Sequence, residues 1–318
     1  MIGIEDVYAA REAIGGRLHR TPTFTSATLG RLTGGRVHLK AELFQRTGSF
    51  KPRGVLTKLA SLAPAEKERG VIGISAGNHA AALAYGAALE GIDCLVVMWQ
   101  GASEHKITAA RGYGAEIDLE ATRPGEAFDR LSELLIETKR TLVHPFDDPF
   151  TIAGQGTVGL ELLEDVPDAN LVLVPVGGGG LISGVATAVK GLSESVRVIG
   201  IEPEGADSLR QGLEAGRQVR IEPDTIADGL AAPFAGARVL EICHERLDGV
   251  TTVTDDEIAE GMRFLYGRAK LACEPSGAAA VAALLAGKVR AAPDASVVCV
   301  VSGGNVAGET AAAILAAR

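Results

Sequence analysis

A chain of 318 residues that is 47% hydrophobic but only 4% aromatic must build its interior from Ala, Val, Leu and Ile, and its length suggests two domains. A net charge of −9 argues against nucleic acid or an anionic membrane surface as partner, although backbone donors could still hold an anionic ligand. No apolar run approaches the ~18 residues that span a bilayer, and the N-terminus lacks a basic and apolar leader pattern. Cys94, Cys243, Cys273 and Cys299 form no Cys-x-x-Cys pair and read as buried, reduced thiols, which points to a cytoplasmic protein.

In chain order, Val7, Ala10 and Ile14 give residues 5–17 helical spacing that stops at Gly15-Gly16. Thr21-Pro22 reads as extended, Ala27 to Leu32 as a short helix, and the alternation from Arg36 to Phe44 as a strand. The turn Thr47-Gly48-Ser49-Phe50-Lys51-Pro52-Arg53-Gly54 follows, opening a helix carried by Val55, Leu56, Leu59 and Leu62. Pro52 suits a first helical turn. A lysine there that is partly desolvated loses proton affinity and can form an imine with a carbonyl; the plainer reading is a solvated helix-start lysine.

From Val71 the chain alternates strand and helix. Strands 71–74, 94–98 and 115–119 are each followed by a helix, over 78–89, 104–110 and 126–137. After His144-Pro145-Phe146-Asp147-Asp148-Pro149 the rhythm restarts with helix 152–163, strand 171–176, helix 181–190, strand 196–201 and helix 207–215. An irregular stretch runs to about residue 236. Strand 249–253, helices 255–268 and 278–285, strand 297–301 and helix 307–316 complete the chain. This is the rhythm of mostly parallel sheets covered on both faces. Two open α/β domains are expected, residues 1–68 with 145–318 and a smaller unit 69–144, with a cleft between them.

Ligands gather at the C-terminal ends of parallel strands. Gly177 to Gly180 sits at such an end before a helix, where free N–H groups and the helix dipole suit a phosphate. The spacing is not the dinucleotide fingerprint, yet Glu202 at the next strand end imitates a ribose-gripping acid, which keeps a nicotinamide dehydrogenase open. Ser75-Ala76-Gly77-Asn78-His79 could hold a carboxylate or an oxyanion, or Asn78 could simply cap its helix. Ser302-Gly303-Gly304-Asn305 ends a buried strand with a hydroxyl that could meet a ring nitrogen.

Together these pieces resemble the serine/threonine dehydratase and serine racemase family, pyridoxal-phosphate enzymes of the tryptophan-synthase-β fold (fold type II). The matching stretches are Lys40-Ala41-Glu42 through Gly54, Ser75 to Ala80, His144-Pro145-Phe146, Ile152 to Thr157, Gly177 to Gly180, Glu274-Pro275-Ser276-Gly277 and Ser302 to Asn305, in the family's order. The resemblance implies that Lys51 carries the cofactor and removes the substrate's α-proton. It assigns the cofactor phosphate to Gly177, Gly178, Gly179 and Gly180, and the phenolic oxygen to Asn78. Ser302 would meet the pyridine nitrogen, Phe50 the ring face, and Glu274 the ring and departing hydroxyl. Ser75, Asn78 and His79 would receive the substrate carboxylate. The reaction implied is β-elimination of L-threonine or L-serine to a 2-oxo acid and ammonia, by a homodimer with a mobile small domain.

Two departures matter. Ala76 stands where racemases have a proton-donating serine, which favours elimination over racemisation. Glu202 and Ala206 match two ligands of the family's Mg or Ca site, but Ser208 replaces the usual Asp. Dehydration of another β-hydroxy amino acid, such as 3-hydroxyaspartate, stays open, as does a catalytically silent amino-acid or phosphate binder.

Overall fold

The computed structural model describes residues 1–102 and 104–317. Among these residues ten strands form two sheets: β1 Thr23–Thr25, β2 Arg36–Ala41, β3 Val71–Ile74, β4 Cys94–Trp99, β5 Glu116–Ala121, β6 Thr141–Leu142, β7 Ala169–Pro175, β8 Arg197–Pro203, β9 Gly249–Val253 and β10 Ser296–Val301. The larger sheet has the order β1-β2-β10-β7-β8-β9 and the smaller β5-β4-β3-β6. Every pair is parallel except β1 with β2. The expected architecture of two mostly parallel α/β domains is therefore what the chain adopts. All strands of the smaller sheet fall between residues 71 and 142.

Period-two alternation explains the layers. On the larger sheet Val172, Val174, Val198, Val298 and Val300 face one way, onto helices Pro149–Asp165 and Gly180–Leu192. Leu171, Leu173, Ile199, Ile201, Val297, Cys299 and Val301 face the other, onto helices Asp255–Phe264 and Pro275–Leu285. The smaller sheet divides likewise, Val71, Val96 and Met98 opposite Ile72, Ile74, Leu95 and Val97. All four cysteines are free and buried.

Several elements differ from the spacing-based expectation. The strand expected to reach Phe44 ends at Ala41, where a 3₁₀ turn, Glu42–Phe44, takes over. The helix expected over 255–268 ends at Phe264 in a π turn that stops at Lys270, whose φ is 60°. Helix Ala237–Arg246 carries no local start signal, because its first N–H groups are capped from afar. The Asp147 carboxylate accepts from Ala237 N (3.0 Å) and Arg238 N (3.1 Å).

Candidate active site

The turn after β2 is held at both flanks. Thr47 has φ 60° and Gly48 φ 74°, a reversal that costs a β-branched residue on the order of 1–2 kcal/mol. Ser49 then bridges Gly303, and Phe50 N donates to Ser302 O (3.2 Å), tying the turn to the end of β10. Pro52 opens helix Pro52–Ala60, and Arg53 anchors it. The buried guanidinium donates to Glu42 (both contacts 2.8 Å), to Glu161 (2.6 and 2.9 Å) and to Thr157 Oγ1 (3.1 Å).

Lys51 receives no such company. Its Nζ donates to Pro145 O (3.0 Å) and lies 5.2 Å from the centre of the Phe50 ring. Desolvation lowers its pKa to about 8, with Glu274 pulling weakly the other way. At pH 7 roughly a tenth of this amine is unprotonated, far more than of an ordinary lysine, and the neutral form is what a nucleophile requires.

The glycine turn after β7 leads into helix Gly180–Leu192. Its glycines have steric reasons: a Cβ on Gly178 would lie 2.3 Å from the Phe146 ring, and one on Gly179 (φ 87°) 2.3 Å from Val239. The walls that demand glycine leave the N–H groups of Gly178, Gly179 and Gly180 without an acceptor among the described residues, at the positive end of a 13-residue helix.

Helix Asn78–Glu90 begins directly after β3. Asn78 Nδ2 donates to Glu274 Oε1 (2.7 Å), and Asn78 Oδ1 accepts from Asn305 Nδ2 (2.8 Å). Burial raises the Glu274 carboxyl to about 7, helped by Asp228 and opposed by the Asn78 hydrogen bond, Lys106 and Lys51. Lys106 and Asp228 are themselves an ion pair across the two sheets' segments.

One cavity gathers Phe50, Lys51, Asn78, Gly177, Gly178, Gly179, Gly180, Glu274 and Ser302, nine of the residues singled out in the sequence. Ser75 and His79 stand back from it. Ser75 Oγ accepts from Gly77 N (3.0 Å), while His79 Nε2 meets Val143 O at 2.9 Å. Burial, with Lys51 nearby, drops the His79 imidazole to about 3, so its ring is neutral; the helix-start N–H groups are what a carboxylate could reach. Sequence reasoning missed Phe146, Gly229, Leu230 and Ser276 as walls of this cavity. Phe146 and Ser276 lie inside recognisable motifs, whereas Gly229 and Leu230 belong to the stretch without periodicity.

The contacts of Glu202 and Ala206 do not support the expected cation site. Both Glu202 oxygens accept backbone N–H groups, from Leu209 (2.8 Å) and Arg210 (2.9 Å), and burial raises its carboxyl to about 8 despite them. Ala206 is buried, and Ser208 Oγ has no partner among the described residues. No group of three His, Cys, Asp or Glu side chains able to hold a metal occurs among the described residues. The same geometry removes the dehydrogenase alternative, because a fully buried helix-capping Glu202 cannot grip a ribose. Among the described residues no helix is long and apolar enough to cross a membrane.

A family model described as "Pyridoxal-phosphate dependent enzyme" matches residues 15–303. The L-threonine ammonia-lyase of Thermotoga maritima is 42% identical over 307 residues, 96% of this chain and 76% of that protein. The catabolic L-threonine dehydratase of Escherichia coli is 39% identical over 96% of this chain and 93% of its own. Among solved structures, the threonine deaminase of T.th. superposes with a TM-score of 0.90 at 42% identity, covering 96% and 99% of the two chains. Maize serine racemase gives 0.93 at 36%, covering 97% and 95%. The residues around the cavity fit a phosphorylated pyridine aldehyde. Free N–H groups suit the phosphate, an amine without an ion-pair partner suits the aldehyde, and the buried Ser276 hydroxyl on the cavity wall has no partner among the described residues.

Proposed function

The chain belongs to the family of pyridoxal-phosphate-dependent enzymes, and from that premise we propose that it is an L-threonine ammonia-lyase, converting L-threonine to 2-oxobutanoate and ammonia and L-serine to pyruvate and ammonia. The observation that carries the reading is a lysine with lowered proton affinity opening onto the same cavity as the glycine turn. The relatives named above, similar over nearly the whole chain, support the substrate.

Pyridoxal phosphate, when bound, supplies a conjugated ring that takes up the electron pair released at the substrate's Cα. The chain supplies the rest. Lys51 would hold the cofactor through its amine and, when that amine is free, would accept the α-proton at Nζ. Gly177 to Gly180 bind the phosphate with N–H groups that need no reorganisation. Asn78 would donate to the phenolic oxygen, and Ser302 would meet the pyridine nitrogen as a neutral hydroxyl. Phe50, on the cavity wall, would pack against the ring. Glu274 keeps part of its proton at neutral pH beside the site of hydroxide departure. The N–H groups of Asn78 and His79 would receive the substrate carboxylate at a helix N-terminus, with Ser75 shaping that turn through its hydrogen bond from Gly77 N.

Ala76 favours elimination over racemisation, since no side-chain proton is offered there to the far face of Cα. Residues 69–144 act as a small mobile domain against 1–68 and 145–318. We expect a homodimer, and four free thiols suit a reducing cytoplasm. The direct test is release of ammonia and 2-oxobutanoate from L-threonine by protein loaded with pyridoxal phosphate. Turnover of 3-hydroxyaspartate with none of threonine would contradict the substrate assignment.

A further inference from the structure

Asn305 closes the turn after β10 and has no task in the mechanism above. Its Nδ2 makes two contacts, donating to Thr47 O (2.7 Å) and to Asn78 Oδ1 (2.8 Å). The backbone bends around it: Thr47 takes its left-handed conformation there, and a Cβ on Gly48 would lie 2.3 Å from Asn305 Oδ1. Asn78 passes the pattern on, donating from Nδ2 to Glu274 Oε1. The chain of amides thus runs from Thr47 through Asn305 and Asn78 to Glu274, and joins the smaller sheet's first helix to segments flanking the larger sheet.

The two ends of a side-chain amide have nearly the same shape, so only hydrogen bonds decide which end faces where. Glu274 does not decide it for Asn78, because a carboxyl accepts when ionised and donates when protonated, and both forms exist near neutrality. Thr47 O can only accept, which fixes Asn305 with its NH₂ toward Thr47 and Asn78. Asn78 must then offer Asn305 its oxygen. That leaves Asn78 with N–H groups alone for Glu274 and for the cavity it lines.

We propose that Asn305 is a positioning residue, which locks the Asn78 amide so that it presents a donor, and not its oxygen, to the phenolic oxygen of the bound cofactor. This rests on the reading of the cavity as the cofactor site. With Asn305 absent, Asn78 turns over in part of the molecules, its oxygen meets another oxygen, and the cofactor is held less firmly.

The test compares holoenzymes of wild type, Asn78→Ala, Asn305→Ala and the double variant, reading the rate of cofactor release from its absorbance, with melting temperatures alongside. Asn78→Ala should speed release by about tenfold and Asn305→Ala by roughly three- to tenfold. In the Asn78→Ala background, removal of Asn305 should add less than about twofold, because its effect passes through Asn78. Asn305→Asp keeps the shape, loses the donor, and should release cofactor as fast as Asn305→Ala. Additive effects, or an Asn305→Asp variant that behaves as wild type, would overturn the inference. An Asn78→Ala holoenzyme with unchanged release would instead remove Asn78 from the cofactor site, a failure of the underlying reading.

Discussion

Lys51 and Arg53 are two basic residues separated only by Pro52 in a single turn, and their surroundings could hardly differ more. Arg53 is sealed between Glu42 and Glu161, which hold its charge against the desolvation that would lower its pKa. Lys51 has a carbonyl and an aromatic ring for neighbours and opens onto a cavity. Pairing fixes a charge and makes it structural, whereas desolvation without pairing makes an amine reactive. The first residue can do chemistry because the second holds the helix that presents it.

Substitutions separate the two roles. Lys51→Ala should lower ammonia release from L-threonine by at least about 10³-fold while the protein stays folded, since no paired charge is lost. A variant with a tenth of the activity would contradict the assignment. Arg53→Met should do the reverse in kind: it leaves Glu42 and Glu161 buried without their partner, and unfolding by urea should show a loss of about 3–5 kcal/mol. A loss below about 1 kcal/mol would mean that the carboxylates find other partners, such as Lys40 beside Glu161.

The comparison sharpens with pH. The apoprotein's Lys51 should react with an amine-arylating reagent with a midpoint near pH 8, and a midpoint near 10.5 would place it among ordinary lysines. The linkage has a definite sign. Between about pH 8 and 10.5 the unfolded chain binds a proton at Lys51 that the folded one does not, so this group's contribution to stability rises with pH across that window. Comparison with Lys51→Met isolates the effect, the smallest of the three, and an equal slope in both proteins would contradict it.

Much of this arrangement is written locally. The alternation of Val, Ile and Leu marks the strands of the larger sheet, and glycine or serine follows β3, β7 and β10 where ligands gather. Contacts distant in sequence are not legible in the same way. Asp147 caps a helix ninety residues on, and Phe146 supplies the wall that makes Gly178 and Gly180 necessary. The four glycines read as an anion cradle, yet part of their reason is steric. β1 and β6, three and two residues long, carry too few side chains to set a period. Glu202 looks like a ligand from its place at a strand end, and only its contacts with Leu209 and Arg210 show it capping the next helix.

The central claim is that the unpaired amine of Lys51 carries the cofactor. Borohydride reduction of the holoprotein followed by peptide mapping tests it directly. The account predicts a single pyridoxyl label on Lys51, in the peptide that also contains Phe50; a label on any other lysine, or none on a protein that still turns over threonine, would contradict it.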